Sequence, residues 1–251
     1  DDLSILIFQD RIAFCTLEQT LYFNLEKKII NSDSLGTWIK YHNIKKNNIK
    51  CISFESNGVV VPEKLYDEAN KNLYLSLTDD DLKNKKIETK IIESNNQVFI
   101  FPQSRNWDLL FQNLGVDIKT THFAAELISF LSKLANTSLK KIVFIHLRQN
   151  FFDVFIYQGS QLLLFNSFPH QDEEEFLYYL FFVLEQFYLK ANQFEAVFLG
   201  KFLKYQSYYD AFKQFHLITN FTYPENLEID FNHPAPFFNY FYAYENNIRK
   251  V

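Results

Sequence analysis

The chain has 251 residues, of which 47% are hydrophobic and 22% are charged, which is typical of a globular protein and excludes a disordered one. Its net charge of -5 at pH 7 provides no general attraction to the phosphate backbones on which nucleic-acid binding depends. The longest apolar run, residues 176–184, is too short to span a bilayer, so we expect neither a nucleic-acid partner nor a transmembrane segment.

The aromatic content is high, with 29 Phe and 15 Tyr residues. It has two explanations: a dedicated aromatic binding surface, or an AT-rich gene that enriches Phe, Asn, Ile and Lys. The scarcity of glycine, with five residues, and the excess of Lys over Arg favour the second explanation. Composition alone therefore predicts no aromatic binding function.

Three apolar or alternating segments open the chain, and each is typical of a β-strand: residues 3–9, 11–18 and 20–26. A helix is predicted next over residues 32–43, with Ser32 or Ser34 as its N-cap. A further strand is predicted over residues 49–56. The opening segment therefore predicts a βββ-α-β unit.

The middle of the chain alternates short elements with charged segments. We predict a short helix that begins at Pro62 and a hairpin that turns at Asn95 and Asn96. A helix that ends at Gly115 follows the hairpin. The remaining predicted elements are a strand at 73–78, a surface loop at 79–88 and a helix at 122–136.

The second half repeats the opening pattern. Strands are predicted at 141–147, 151–157 and 161–168, then a helix at 172–190 and a strand at 195–200. A helix at 205–215, an extended segment at 216–221 and a terminal helix at 234–250 complete the chain. A repeated unit indicates two domains of like topology from an ancient duplication. We therefore predict domain I over residues 1–137, with an inserted subdomain at about 73–116, and domain II over residues 138–251.

The helix predicted at 172–190 carries nine consecutive apolar residues, 176–184, which cannot all face one sheet. We therefore expect both of its sides to be covered, with Leu180 and either Phe182 or Val183 buried. Its first turn, residues 172–175, is wholly acidic, which complements the helix dipole but repels anions. This helix start is predicted to be structural, and not a phosphate site.

Paired βββ-α-β domains resemble the actin, sugar-kinase and Hsp70 ATPase superfamily, nearest its pilus-assembly and cell-division branch. More narrowly, residues 57–77, 165–187 and 196–202 resemble an uncharacterised bacterial family with an actin-like ATPase fold. The resemblance covers most of both halves, and its motifs are structural. It implies an α/β fold in which two ribonuclease H-like βββαβα domains flank a cleft.

The same resemblance implies a nucleotide in that cleft, gripped by the first hairpin turn of each domain through Asp-x-Gly patterns. Glycine lets backbone N–H groups approach an anion, and the acid holds magnesium or its waters. Asp10 stands at the acid position of the first turn, but the glycine is missing and Arg11 fills the turn. The second turn has neither residue, and we expect the nearby Asp153 to be exposed on an alternating strand.

The adenosine motif of the superfamily has paired glycines, of which this chain retains only the first. The ligand-contacting residues implied by the resemblance are Asp10, Arg11, Arg148, Gln149, Asn150, Gly200 and Lys201. Arg11, Arg148 and Lys201 are expected to converge as a basic pocket for a nucleotide or another phosphorylated ligand. Against this, Arg11 and Arg148 are ordinary exposed turn residues, which is the interpretation that we favour. The missing glycines argue against ATP and magnesium as cofactors.

No catalytic or metal-ligating residues are predicted, because the six histidines show no metal spacing and no nucleophile motif is present. Cys15 and Cys51 lie in apolar strands, which indicates a reducing compartment, here the cytoplasm. The sequence predicts an inactive actin-like scaffold that binds a protein or peptide partner. The alternatives are a divergent ATPase or kinase, and a structural protein that assembles with itself.

Overall fold

The structure is a computed structural model that describes residues 3–16, 19–25, 32–44, 49–55, 57–76, 82, 85–103, 107–116, 118–136 and 138–222. The terminal helix predicted at 234–250 and part of the loop predicted at 79–88 lie outside these residues. The described strands are β1 (Leu3–Ile7), β2 (Arg11–Cys15), β3 (Thr20–Asn24), β4 (Ile49–Ser53), β5 (Val59–Pro62), β6 (Lys86–Ile92), β7 (Gln97–Gln103), β8 (Thr120–His122), β9 (Lys141–Leu147), β10 (Phe151–Gln158), β11 (Gln161–Pro169), β12 (Phe194–Leu199) and β13 (Ile218–Thr222). The described helices are α1 (Ser32–Tyr41), α2 (Lys71–Leu75), α3 (Trp107–Asn113), α4 (Phe123–Ala135), α5 (Glu173–Gln186) and α6 (Gln206–Lys213).

Two five-stranded sheets have the same order and strand directions. The first runs β3-β2-β1-β4-β8 and the second β11-β10-β9-β12-β13. In each sheet an antiparallel meander of three strands is followed by two strands that run parallel to its first strand. The central strand β1 is buried along its whole length, as expected for a strand covered on both faces. The two predicted three-stranded meanders are confirmed.

A third, smaller sheet has the order β5-β7-β6 and is antiparallel throughout. Its hairpin turns where predicted, with Asn96 in the left-handed region at φ 49°. The sheet begins at Val59, before the expected start of the inserted subdomain, and α3 buries Trp107 and Phe111 in the core of the first sheet. The division into residues 1–137 and 138–251 stays a prediction.

Two short elements differ from the prediction. The strand expected at 73–78 is wrong, because Lys71–Leu75 forms α2 and buries Leu75. The hydroxyl of Tyr74 donates to the Leu65 carbonyl at 2.8 Å and accepts from the Asp67 N–H at 3.0 Å, which fixes this helix against the preceding segment. The helix expected at Pro62 is replaced by the end of β5 and two short 3-10 turns.

Helix α4 lies between the halves of the molecule and packs against strands of all three sheets. Its buried residues belong to one apolar core that also contains Leu6 of the first sheet and Phe144 and Phe155 of the second. The buried hydroxyl of Tyr157 donates to the carbonyl of Ile128 in α4 at 2.8 Å. This helix therefore gives both sheets a common core, which holds the first turn of each sheet on either side of one cleft.

Helix α5 covers the other face of the second sheet together with α6. Asp172 caps α5 by accepting from the Glu175 N–H at 2.8 Å, and the helix ends at Gln186, short of the expected residue 190. The expectation that both sides of α5 are covered is wrong, since Tyr178 and Phe182 are exposed. No helix among the described residues combines the length and the apolar character needed to cross a bilayer.

A buried carboxylate joins α4 to two sheets. Glu126 of α4 accepts from the Lys50 ammonium on β4 at 2.8 Å and from the Lys90 ammonium on β6 at 2.6 Å. The hydroxyl of Thr121 donates to the same carboxylate at 2.7 Å. Burial alone would raise the pKa of Glu126, but Lys90 and Lys50 outweigh that effect and lower the pKa to about 2.

Replacement of Glu126 by Gln should therefore cost more stability at neutral pH than in acid. The folded-state pKa lies below the ordinary value of 4.5, so the ionised carboxylate stabilises the fold above that pH. This stabilisation, on the order of 3 kcal/mol, is lost as the pH falls from about 4.5 towards 2. Denaturant titrations of the wild type and of Glu126→Gln at pH 7 and pH 3 measure the effect. A difference between the two proteins that stays constant with pH would contradict this account.

Candidate ligand cleft

The first turn of each five-stranded sheet lines one cavity of about 220 Å³. Residues 8–11, the turn from β1 and the first residue of β2, form one side, and residues 148–151, the turn from β9 and the first residue of β10, form the other. The prediction that the two turns face one cleft is confirmed. Arg11, Gln149 and Asn150 all lie in its lining.

The strand end after β12 contributes differently from what was predicted. Gly200 and Lys201 are not among the residues that line the cleft; Phe202, Lys204 and Tyr205 take that place. The ammonium of Lys201 lies 5.8 Å from the centre of the Phe221 ring instead. Gly200 has a φ of 74°, in the left-handed region that favours glycine, so the backbone conformation explains why a glycine stands at this position. Arg11 and Arg148 therefore lie together in the lining and Lys201 does not, while the contact of these residues with a ligand stays a prediction.

Asp10 and Arg11 form an ion pair with each other at the mouth of the cleft. The Arg11 guanidinium donates to Asp10 Oδ2 through Nη2 at 2.7 Å and Nε at 3.1 Å. Both side chains keep about two fifths of their surface exposed. The hydrogen bond from Arg11 lowers the pKa of Asp10, so this carboxylate is ionised and already engaged by a cation of its own turn.

Asp153 is fully buried and forms a bidentate ion pair with Arg148. Arg148 Nε donates to Oδ2 and Nη2 donates to Oδ1, both at 2.8 Å. The expectation that Asp153 is exposed on an alternating strand is wrong, because β10 is covered on both faces from Phe152 to Tyr157. The preferred interpretation of Arg148 as an exposed turn residue is also wrong, since only 11% of its side chain is exposed.

Two further groups complete the surroundings of Asp153. The Ser167 hydroxyl donates to Oδ1 at 2.6 Å, and His146 Nδ1 lies 2.9 Å from Oδ2. Burial alone would raise the pKa of Asp153, but Arg148 and His146 outweigh it and hold the pKa below its ordinary value. Burial lowers the pKa of His146, so its neutral ring donates Nδ1–H to the ionised carboxylate.

Arg148 also joins the two halves of the molecule. Its Nη2 donates to the Oδ1 atom of Asn57, which follows β4, at 2.9 Å. Its guanidinium lies 4.6 Å from the centre of the Phe123 ring, at the start of α4. We call Arg148 with Asp153, Asn57 and Phe123 the Arg148 bridge. Through it the second turn is fixed to the first half, so its cation is committed to contacts inside the protein.

The backbone of the second turn is held by His170. Nε2 of His170 donates to the Arg148 carbonyl at 2.9 Å, and Nδ1 of the same ring lies 3.1 Å from the Tyr208 hydroxyl oxygen. The His170 N–H donates to the Asn150 carbonyl at 3.1 Å. These contacts could not be predicted from local sequence patterns, because they join segments that are far apart along the chain.

The cysteines provide no nucleophile. Cys15 and Cys51 are both buried in the first sheet, and burial raises the pKa of each thiol to about 12. A thiol with such a pKa is almost wholly protonated at neutral pH and is therefore a weak nucleophile.

The residues of the cleft do not fit a magnesium nucleotide held as the resemblance implies. Neither turn contains a glycine, Asp10 is paired with Arg11, and the carboxylate of Asp153 already accepts from three neighbouring side chains. In the described ranges, no cluster of three His, Cys, Asp or Glu side chains is placed to hold a metal ion. The cavity is also smaller than the roughly 300–1,000 Å³ of common ligand pockets.

Comparison with known proteins identifies the family. Residues 1–218 match the family model described as "Protein of unknown function (DUF3822)". The chain belongs to this family. No curated protein sequence matches it.

Two solved structures show the fold of this DUF3822 member. A Bacteroides thetaiotaomicron protein, described as having an actin-like ATPase fold and unknown function, is 17% identical with a TM-score of 0.76. The match covers 97% of this chain and 95% of that one. The PilM-PilN type IV pilus biogenesis complex matches at 9% identity and a TM-score of 0.61, over 98% of both chains. The predicted fold class, and the resemblance to an uncharacterised actin-like family, are confirmed.

Proposed function

We propose that this DUF3822 protein is a pseudo-ATPase: a catalytically inactive actin-like scaffold that binds a protein or peptide partner. The observation that carries the proposal is the Arg148 bridge. A cation in the turn where the resemblance implies a phosphate contact is bound to buried Asp153 and joined to Asn57 and Phe123. The two halves are thus connected by the protein's own arginine.

The charges at the mouth of the cleft support the same conclusion. Phosphoryl transfer relies on positioned charge and a held metal ion, with little covalent chemistry from the protein. Asp10 is the acid at the position expected to contact magnesium. Its Oδ2 atom already accepts a hydrogen bond from the Arg11 guanidinium at 2.7 Å. Arg11 and Lys204 can still attract a phosphate, so weak nucleotide binding without turnover is compatible with this proposal.

The binding of a protein partner has support of a different kind. One of the matching chains comes from the PilM-PilN complex, so a protein of this fold occurs in an assembly with another protein. We extend this to the present chain as a proposal, and place its action in the cytoplasm, where buried thiols stay reduced.

Magnesium-dependent phosphate release from ATP tests the proposal. We expect the purified wild type to release no more phosphate than buffer, because Asp10 is engaged by Arg11 and neither turn can close its N–H groups on an anion. The matched control is Asp10→Ala, which removes the acid in the cleft. Turnover in the wild type that disappears in Asp10→Ala would replace the inactive scaffold by the alternative, a divergent ATPase. Mass by light scattering over a range of concentrations tests self-assembly.

A further inference from the structure

Phenylalanine and tyrosine side chains supply the apolar part of the cleft walls. Six of the fourteen lining residues are of these two types: Phe8, Tyr22, Phe54, Phe151, Phe202 and Tyr205. They come from both halves of the chain, and the rings of Phe8 and Phe54 are stacked at 5.0 Å. Aromatic rings favour another ring in an offset or edge-to-face arrangement, so these walls suit a ligand with a planar apolar body.

The charges of the lining leave one cation for a ligand. Arg11 is paired with Asp10, and Arg148 with Asp153. Lys204 is exposed and forms no salt bridge with a described carboxylate, although its charge contributes to lowering the pKa of Asp10 in the same lining. When the buried Asp153 behind Arg148 is counted with the lining, the positive charges exceed the negative charges by one, which complements a single carboxylate.

The size of the cleft limits the ligand further. A dry cavity of about 150 Å³ holds one benzene molecule, and drug-sized ligands need at least about 300 Å³. The cleft, at about 220 Å³, lies between these values. One aromatic ring with a short acidic substituent matches this volume.

We propose that the cleft binds an aromatic side chain of a peptide partner, with a carboxylate beside it against Lys204. The proposal rests on the partner-binding function proposed above and names the part of the partner that is recognised. The carboxylate belongs either to the C-terminus of the peptide, when the aromatic residue is the last one, or to a neighbouring acidic side chain.

Calorimetric titration of the full chain with short probes tests the proposal. N-acetylphenylalanine and N-acetyl-aspartyl-phenylalaninamide represent the two sources of the carboxylate, and the tighter binder identifies the source. N-acetylphenylalaninamide lacks the charge and N-acetylalanine lacks the ring, so both should bind more weakly. The Lys204→Gln variant should bind the acidic probe about two- to fivefold more weakly, the effect of one exposed ion pair.

Lys140→Gln is the matched control variant, because Lys140 is exposed and precedes β9 at the end opposite to the cleft turn. It should bind the acidic probe as the wild type does, and circular dichroism should show both variants folded. The proposal is overturned by absence of binding at millimolar probe concentration, by equal affinity for the acid and the amide, or by unchanged affinity in Lys204→Gln. ATP turnover would overturn the inactive scaffold instead, so the two failures are distinguishable.

Discussion

Replacement of Arg148 by alanine is expected to lower the free energy of unfolding by about 3–5 kcal/mol, the usual effect of removing one partner of a buried ion pair. Asp153 is fully buried, and two of the hydrogen bonds to its carboxylate come from Arg148. Without them an ionised group remains in the core with Ser167 and a neutral His146 as its neighbours. Denaturant titration at pH 7 measures the loss.

Arg11→Ala is the matched control, since Arg11 lies in the corresponding turn of the first sheet and also pairs with an aspartate. About two fifths of each of these side chains is exposed to solvent, and pairs near the surface contribute about 0–1 kcal/mol, so the control should differ little from the wild type. Equal losses in the two variants would show that Arg148 is not a buried bridge.

A double-mutant cycle separates the ion pair from the packing of the arginine. Asp153→Ala alone leaves Arg148 without its carboxylate, and the double variant removes both charges together. The double variant should therefore lose less stability than the sum of the two single variants, with a coupling energy of about 0.5–3 kcal/mol. Strict additivity would mean that the contact at 2.8 Å contributes nothing to the stability of the fold.

The regular elements of this fold could be predicted because their hydrophobic patterns are long. Both meanders and α1, α4 and α5 appear where the hydrophobic patterns placed them. Short elements could not be predicted in the same way. The sequence L-Y-L in α2 fits a strand as well as one helical turn, and the contacts of Tyr74 with the preceding segment decide between them. The strand β8, with three residues, has no pattern of its own.

The candidate site could be predicted as far as its two turns, because repeated hairpins place Arg11 and Arg148 at corresponding positions. The burial of Asp153 could not, because the alternation of a strand gives a polar face only where one side of the sheet is open to solvent. A signal was nevertheless present: in the antiparallel hairpin, Asp153 stands five residues after an arginine that can reach it. The contact with Asn57 joins distant segments, which no local pattern reveals.

The prediction that Lys201 lines the cleft, where Lys204 does so instead, failed because it also depended on a non-local contact. The resemblance placed the ligand contact directly after Gly200, where the motif carries its second glycine. In this chain the backbone turns at Gly200 and then forms the 3-10 turn Leu203–Tyr205, so Lys204, four residues after Gly200, lines the cleft. The position of a turn of this length depends on its packing against α6, and sequence alone does not determine it.

Replacement of Leu180 by alanine is expected to cost about 2–5 kcal/mol of stability, the range for a buried leucine that leaves a cavity. Leu180 is completely buried in the core of the second sheet, together with Phe176 and Val183. Phe182→Ala, two residues along the same helix, is the matched control, since half of the Phe182 side chain is exposed. It should change the free energy of unfolding by less than about 1 kcal/mol, as surface substitutions do. Both are measured by denaturant titration. If the two variants lost equal stability, or if Leu180→Ala left the midpoint unchanged, the assignment of the buried face of α5 would be wrong, and with it the packing that holds the second sheet beside the cleft.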